Sequence, residues 1–325
     1  MQYRTLGRTG LAVSLAGLGT GGPSQFGQSR QLDFAEQDAL LHRALDLGIN
    51  IVDTAMAYGH SEELLGRALA DVPRDRYILA TKLTPTRVPR ATYATTPPGD
   101  TPADLIAPED VARLCEASLR RLGVDVIDVY QVHGVTTTLY PAVVERIYPE
   151  LVKLREAGKI RFIGITERFF QDPAHAMLEQ AVPSGLWDTV MLKYGILNQA
   201  AARAVLPLCE RHRVGVLNMA PVRVKLTRPA ELAALLADWR ARGLLAPDAL
   251  PGDDPLGWLV HGAVDSVISA GYKFAAEPPA ISTVLTGTAR VAHLEANVAA
   301  LLGPPLPAAD SARLRAALGH LAEGA

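Results

Sequence analysis

What most limits the folds open to this chain is a recurrence of form. Short apolar, β-type runs alternate with segments whose apolar residues fall at helical spacing. The run Ile49-Asn50-Ile51-Val52-Asp53 is followed by 61–69, where Leu64, Leu65, Ala68 and Leu69 share a helical face. Ser61 is the expected N-cap there, and Glu62 and Glu63 suit the positive end of the helix dipole. The same pairing joins 77–82 to 110–122, 126–133 to 148–157, 160–166 to 174–181, and 189–194 to 200–212. The run 215–219 leads into a less regular stretch with helices expected near 230–241 and 256–270, and 281–286 precedes 291–302. With 15–22 ahead of a helix at 35–47, there are eight strand–helix units and no internal linker. Alternation of this kind specifies a parallel sheet, and eight units predict closure into a (β/α)8 barrel of the TIM type, an α/β fold spanning 1–325 as one domain. The runs Tyr3-Arg4-Thr5-Leu6 and Leu11-Ala12-Val13-Ser14, around Gly7-Arg8-Thr9-Gly10, predict a β-hairpin before the barrel. The polar, Pro- and Thr-rich segment 83–108 predicts an extended loop at the C-terminal face.

An open dinucleotide-binding sheet is the competing architecture, and Gly17, Gly19 and Gly22 formally match G-x-G-x-x-G. That motif requires a helix opening at the glycines, so that its amides meet a pyrophosphate. Here Pro23-Ser24-Gln25-Phe26-Gly27 follows, and helical spacing begins only near Phe34. A first barrel strand ending in an open loop fits better.

Composition narrows the partners. A formal net charge of -2 gives no reason to expect nucleic acid or an anionic membrane. No apolar run approaches the ~18 residues of a membrane span, and Met1-Gln2-Tyr3-Arg4 lacks the form of a signal peptide. A soluble cytoplasmic protein is expected. Cys115 and Cys209 stand in helical segments without metal-ligand spacing, as free buried thiols do, and no metal site is expected. Oligomeric state leaves no mark in the sequence.

In a closed barrel the C-terminal strand ends converge on one mouth. Asp53 ends the second strand, Lys82 the third, His133 lies just past the fourth, and Tyr58 sits in the loop above Asp53. Four proton-active side chains from three consecutive strands thus meet at one rim. Around them the chain resembles the aldo-keto reductase superfamily along nearly its whole length. The resembling pieces are Gly17-Leu18-Gly19-Thr20, Asp53-Thr54-Ala55 with Tyr58-Gly59 and Ser61-Glu62, Ala80-Thr81-Lys82, Ser118 to Gly123 leading to His133, Gly158 to Gly164, and Gly287-Thr288 through Asn297. The resemblance implies a catalytic tetrad of Asp53, Tyr58, Lys82 and His133.

The residue types suit carbonyl reduction. Hydride delivered to carbon leaves negative charge on oxygen, and Tyr58 is the expected proton donor. A free phenol, with a pKa of ~10, is a poor acid, and an adjacent ammonium, Lys82, stabilises the phenolate. Asp53 would hold Lys82 charged, and a neutral His133 would donate to the substrate oxygen. No side chain supplies hydride, so a nicotinamide cofactor is required. The resemblance implies NADPH, with NADH as the alternative, and a small aldehyde, ketone or sugar as substrate. It places cofactor contacts at Gly19, Thr20, Asp53, Thr166, Met191, Met219, Pro221 and Arg223. It places others at Gly287, Thr288, Arg290, His293 and Asn297, with the last near the adenine. Thr166-Glu167 stands where the family usually has Ser-Asn, Met191 near its usual Gln, Met219 at its stacking aromatic, and His293 at its Arg or Gln. The alternatives are a sugar dehydrogenase running in reverse, a nicotinamide-binding regulatory subunit with little turnover, and a Schiff-base aldolase using an uncharged Lys82.

Overall fold

Side by side and all in one direction, the expected apolar runs pair into a sheet that closes. The computed structural model describes residues 1–87, 101–222, 225–252 and 254–321. β1 (Tyr3–Thr5) and β2 (Ala12–Ser14) form the antiparallel hairpin. The barrel strands are β3 (Ala16–Gly19), β4 (Ile51–Asp53), β5 (Ile78–Leu83), β6 (Ile127–Val135), β7 (Ile160–Glu167), β8 (Thr189–Leu192), β9 (Gly215–Asn218) and β10 (Ile281–Thr286). They run parallel in sequence order, and β10 closes the ring against β3. Around them lie α1 (Phe34–Asp46), α2 (Ser61–Ala68), α3 (Asp110–Leu122), α4 (Tyr140–Arg146), α5 (Tyr148–Glu156) and α6 (Ala176–Ala181). The outer layer continues with α7 (Val205–His212), α8 (Pro229–Ala241), α9 (Val267–Ala276), α10 (Val291–Leu302) and α11 (Ala308–Leu318). No helix among the described residues is long and apolar enough to cross a membrane.

The helices depart from the expected spans for local reasons. The expected helix at 200–212 begins as a 3-10 turn, Ala200–Ala202, and becomes α-helical only from Val205. Pro207 has no N–H to give, and only a first turn can spare one. In place of a helix at 256–270 there is a short turn at Gly257–Leu259, and α9 starts ten residues later. Ser266 sets that start, because its hydroxyl accepts from Ser269 N at 3.0 Å and caps the helix. α11 goes beyond the sequence expectation, since it buries only Ser311, Leu314 and Leu318, a stripe too thin to read as a helix face. The base of the 83–108 loop is stapled by a Thr86–Leu105 bridge, while its residues 88–100 lie outside the described residues.

Strand parity positions the site. Alternate residues face the barrel axis. Ile51, Ile78, Ala80, Val129, Met191, Leu217 and Leu285 pack there with Phe162, while Leu6 and Val13 of the hairpin region close the floor. The next inward positions toward the C-terminal mouth are Asp53, two beyond Ile51; Lys82, two beyond Ala80; and Gln131 and His133, two and four beyond Val129. Gly164 keeps this layer passable, since a Cβ there would lie 2.4 Å from Thr189 Oγ1 and 2.7 Å from Gln131 Cγ.

Candidate active site

At the mouth, Lys82 has no exposed surface and Asp53 almost none. The Lys82 ammonium donates to both Asp53 carboxylate oxygens at 2.7 Å and to the Thr54 carbonyl at 2.6 Å. A buried charge without such partners would cost several kcal/mol. Burial alone would lower the Lys82 pKa; the Asp53 charge and a hydrogen bond with Tyr58 outweigh it, so the net direction is up. Burial raises the Asp53 pKa, against the pull of Lys82. Gln131 donates to Asp53 Oδ1 at 3.3 Å and belongs to this cluster. Sequence reasoning missed Gln131, although its place midway between the inward Val129 and His133 was the available signal. His133 itself lies inside β6, not past it, where the register shifts between Val132 and Val135 and Gly134 takes a positive φ of 66°.

Tyr58 is half-buried, with its ring centre 4.9 Å from Lys82 Nζ and 5.6 Å from the His133 ring, edge to face. Its loop is held on both sides. Gln28 Nε2 donates to the Tyr58 carbonyl at 3.0 Å, and Gln28 Oε1 accepts from His60 N at 2.8 Å. A Cβ on Gly21 would sit 2.6 Å from the Tyr58 ring, so a side chain there would displace the phenol. Ser61 is the first residue of α2, not its cap; His60 holds that position without a side-chain bond. The Ser61 hydroxyl is drawn into a buried chain instead. Thr54 Oγ1 donates to it at 3.0 Å, and it donates to Thr20 Oγ1 at 2.7 Å, which donates to the Asp53 carbonyl at 3.0 Å. Glu62 also turns inward, accepting from Thr81 Oγ1 at 2.6 Å and from Arg121 Nε at 2.7 Å. These bonds lock α2 onto the ends of β3, β4 and β5.

Two adjoining concavities open over this cluster. Gly19, Gly21, Gly22 and Gly287 floor the first, with Asp53, Tyr58, Met191, Met219 and Pro221 on its sides. Backbone-lined glycine surface with two thioethers opposite a phenol accepts a flat ring and its phosphate tail, so the residues present fit a nicotinamide dinucleotide. The second, of about 310 Å³, lies between Tyr58, His133, Thr166, Phe169, Phe170 and Met219. Tyr58, Met191 and Met219 border both. Thr166 Oγ1 accepts from Gly134 N at 2.7 Å, which leaves its own proton for another partner.

The remaining expected contacts separate. Thr20 is absorbed by the hydroxyl chain and does not line either concavity. Thr288 is buried and accepts from Arg290 N at 3.1 Å, whereas Arg290 and His293 are exposed around the start of α10, beyond Gly287. Asn297 donates to Thr286 Oγ1 at 2.6 Å. Arg223 lies outside the described residues. No group of three metal-ligating side chains occurs among the described residues, and Cys115 and Cys209 are buried free thiols. Burial pushes both thiols up to about 12.

Known proteins share the sequence pattern and the fold of this chain. The model of the aldo/keto reductase family matches residues 17–318. An L-galactose dehydrogenase of Arabidopsis thaliana is 31% identical over 321 residues, 93% of this chain and 88% of that protein. An NADH-specific methylglyoxal reductase of Escherichia coli strain K12 is 31% identical over 231 residues, 68% of either chain. Among solved structures, an aldo-keto reductase from Bacillus halodurans in its holo form superposes with a TM-score of 0.70 at 26% identity. The match covers 100% of this chain and 97% of that one.

Proposed function

The chain belongs to the aldo/keto reductase family, and on that premise we propose that it interconverts a small aldehyde, ketone or sugar and its reduced or oxidised partner, with Tyr58 as the proton-transfer group. The observation that carries this reading is the buried Asp53–Lys82 pair set against the Tyr58 ring at the edge of both concavities. A bound nicotinamide supplies the hydride. Met191 and Met219 would pack against its ring, Gly19, Gly21 and Gly287 would let its backbone pass, and Thr288 and Arg290 would hold a 2′-phosphate. Tyr58 gives its proton to the carbonyl oxygen as charge develops there, and the Lys82 ammonium stabilises the phenolate left behind. Asp53 keeps that ammonium in place. His133, half-buried beside the phenol, donates to the same substrate oxygen and orients it. In the oxidative direction the same phenolate takes a proton back from an alcohol.

A Schiff-base role for Lys82 is disfavoured. An amine nucleophile must lose its proton, and the Asp53 charge, outweighing burial, raises the pKa and retains that proton. The relatives named above suggest the probes. Methylglyoxal and a carbonyl panel with NADH or NADPH, and L-galactose with NAD or NADP, are followed at the nicotinamide absorbance band. The expected result is turnover in at least one arm, and the panel separates NADPH from NADH. Tyr58→Phe lowers that turnover by ~10²–10⁴ with cofactor affinity retained. A variant as fast as the parent removes Tyr58 from the mechanism.

A further inference from the structure

Glu167 ends β7 and borders the second concavity, but its carboxylate is enclosed and bonded away from solvent. One oxygen accepts from Lys193 N, just past β8, at 2.9 Å, and the other meets His175 Nδ1 at 2.6 Å. Both side chains are fully enclosed. The bond closes a loop of nine residues, from 167 to 175. That loop carries Phe169 and Phe170, which line the second concavity together with Tyr58 and His133.

His175 occupies its place under strain. Its backbone is left-handed, with φ 66°, a region where a bulky residue is uncommon. Something must hold it there, and the contacts identify what. His175 N donates to the Asp172 carbonyl at 3.0 Å, and the Asp172 carboxylate accepts from Ala176 N at 2.9 Å and Met177 N at 2.8 Å, opening α6. The ring itself is drawn inward to Glu167, with Asp172 and the buried Asn198 as its other polar neighbours. Burial would favour a neutral imidazole, but Glu167 outweighs it and the net direction of the His175 pKa is up, while burial also raises the pKa of Glu167 against the pull of His175. The 2.6 Å contact of the ring with Glu167, and the Glu167 bond to Lys193 N, fasten both ends of the loop to the rim of the barrel.

We propose that the Glu167–His175 tie is the positioning element of the substrate pocket, setting substrate affinity by holding the Phe169–Phe170 wall in its binding arrangement. This rests on the oxidoreductase reading, in which the second concavity takes the carbonyl or sugar. Neither residue touches the reacting atoms. Asp53 and Lys82 stand on other strands and Tyr58 on the loop after β4, each with bonds of its own. Loss of the tie therefore weakens binding of ground and transition states alike, which raises KM and leaves kcat.

The test uses His175→Gly, because glycine adopts the left-handed backbone freely and removes the ring without demanding a refold. Amide hydrogen exchange of 168–172 is expected to accelerate by about tenfold or more, while exchange in β4 and β5 stays at the parent rate. KM for the carbonyl or sugar rises by about tenfold, as expected for two side chains that must be ordered on binding, with kcat within about threefold and cofactor affinity unchanged. Glu167→Gln, which keeps the shape and one hydrogen bond to each neighbour, lies between parent and His175→Gly in both readouts. Unchanged exchange overturns the tie. Faster exchange with unchanged KM, or a fall in kcat alone, overturns its role in substrate binding. A parent protein that turns over nothing in the panel defeats the oxidoreductase reading instead, and the exchange data, which need no substrate, tell that failure apart.

Discussion

Lys82 and His175 are both buried basic side chains, each bonded to one carboxylate. Desolvation opposes the charge in both, and the partner's proximity decides the outcome. For His175 this has a consequence for pH. Its folded-state pKa is raised above 6.5, because Glu167, with Asp172 behind it, more than offsets burial. The stability that proton contributes is complete below about 6.5, the unfolded value, and is lost as pH rises through the folded value. Thermal unfolding followed from pH 6 upward should show this decline in the parent. His175→Asn should lack it, since asparagine tolerates the left-handed backbone and has no proton to lose. Equal slopes for the two proteins would remove His175 as the source. At this scale the Asp53–Lys82 pairing is legible in the sequence, whereas the partner of His175 is not. Glu167 was visible in the sequence as an unusual residue at a strand end, but nothing in the spacing pointed to His175.

Among the elements, the 20–31 connection does more than join β3 to α1. Gln25, Phe26 and Gln31 all have positive φ, and Phe26 is buried beneath the turn they make. Such backbone strain persists only where surrounding contacts over-determine it. Here Gln28 also donates to the Gln25 carbonyl at 2.9 Å while it grips Tyr58 and His60. Gln28→Ala should free the Tyr58 loop and lower turnover by about 10- to 100-fold through misplacement of the phenol. Cofactor affinity, measured by nicotinamide fluorescence titration, should stay as in the parent. Unaltered turnover would mean that Gly21 and the hydroxyl chain position Tyr58 without Gln28. The sequence showed 20–31 only as a stretch without period, because strain and side-chain-to-backbone bonds leave no periodic trace.

On the scale of the whole molecule, floor and mouth of the barrel are separate structures. Leu6 is fully buried against Gly215 and the inward side chains of the barrel. Leu6→Ala should cost ~2–5 kcal/mol of stability, read by denaturant unfolding, while kcat at a permissive temperature is unchanged. A parallel loss of kcat would show that the floor controls the mouth. The strand–helix count, and hence the closed barrel, is legible from the chain alone, because periods of 2 and 3.6 residues are local properties. So is the arrival of Asp53, Lys82 and His133 at one rim, since strand ends in a barrel converge whatever lies between them. That Gln131 completes the cluster, that Ser61 and Thr20 serve a hydroxyl chain, and that Glu167 fastens His175 follow from the folded arrangement. Those choices depend on which side chains meet at separations of 78, 41 and 8 residues, and on the desolvation that burial imposes on them, neither of which follows from a periodic pattern.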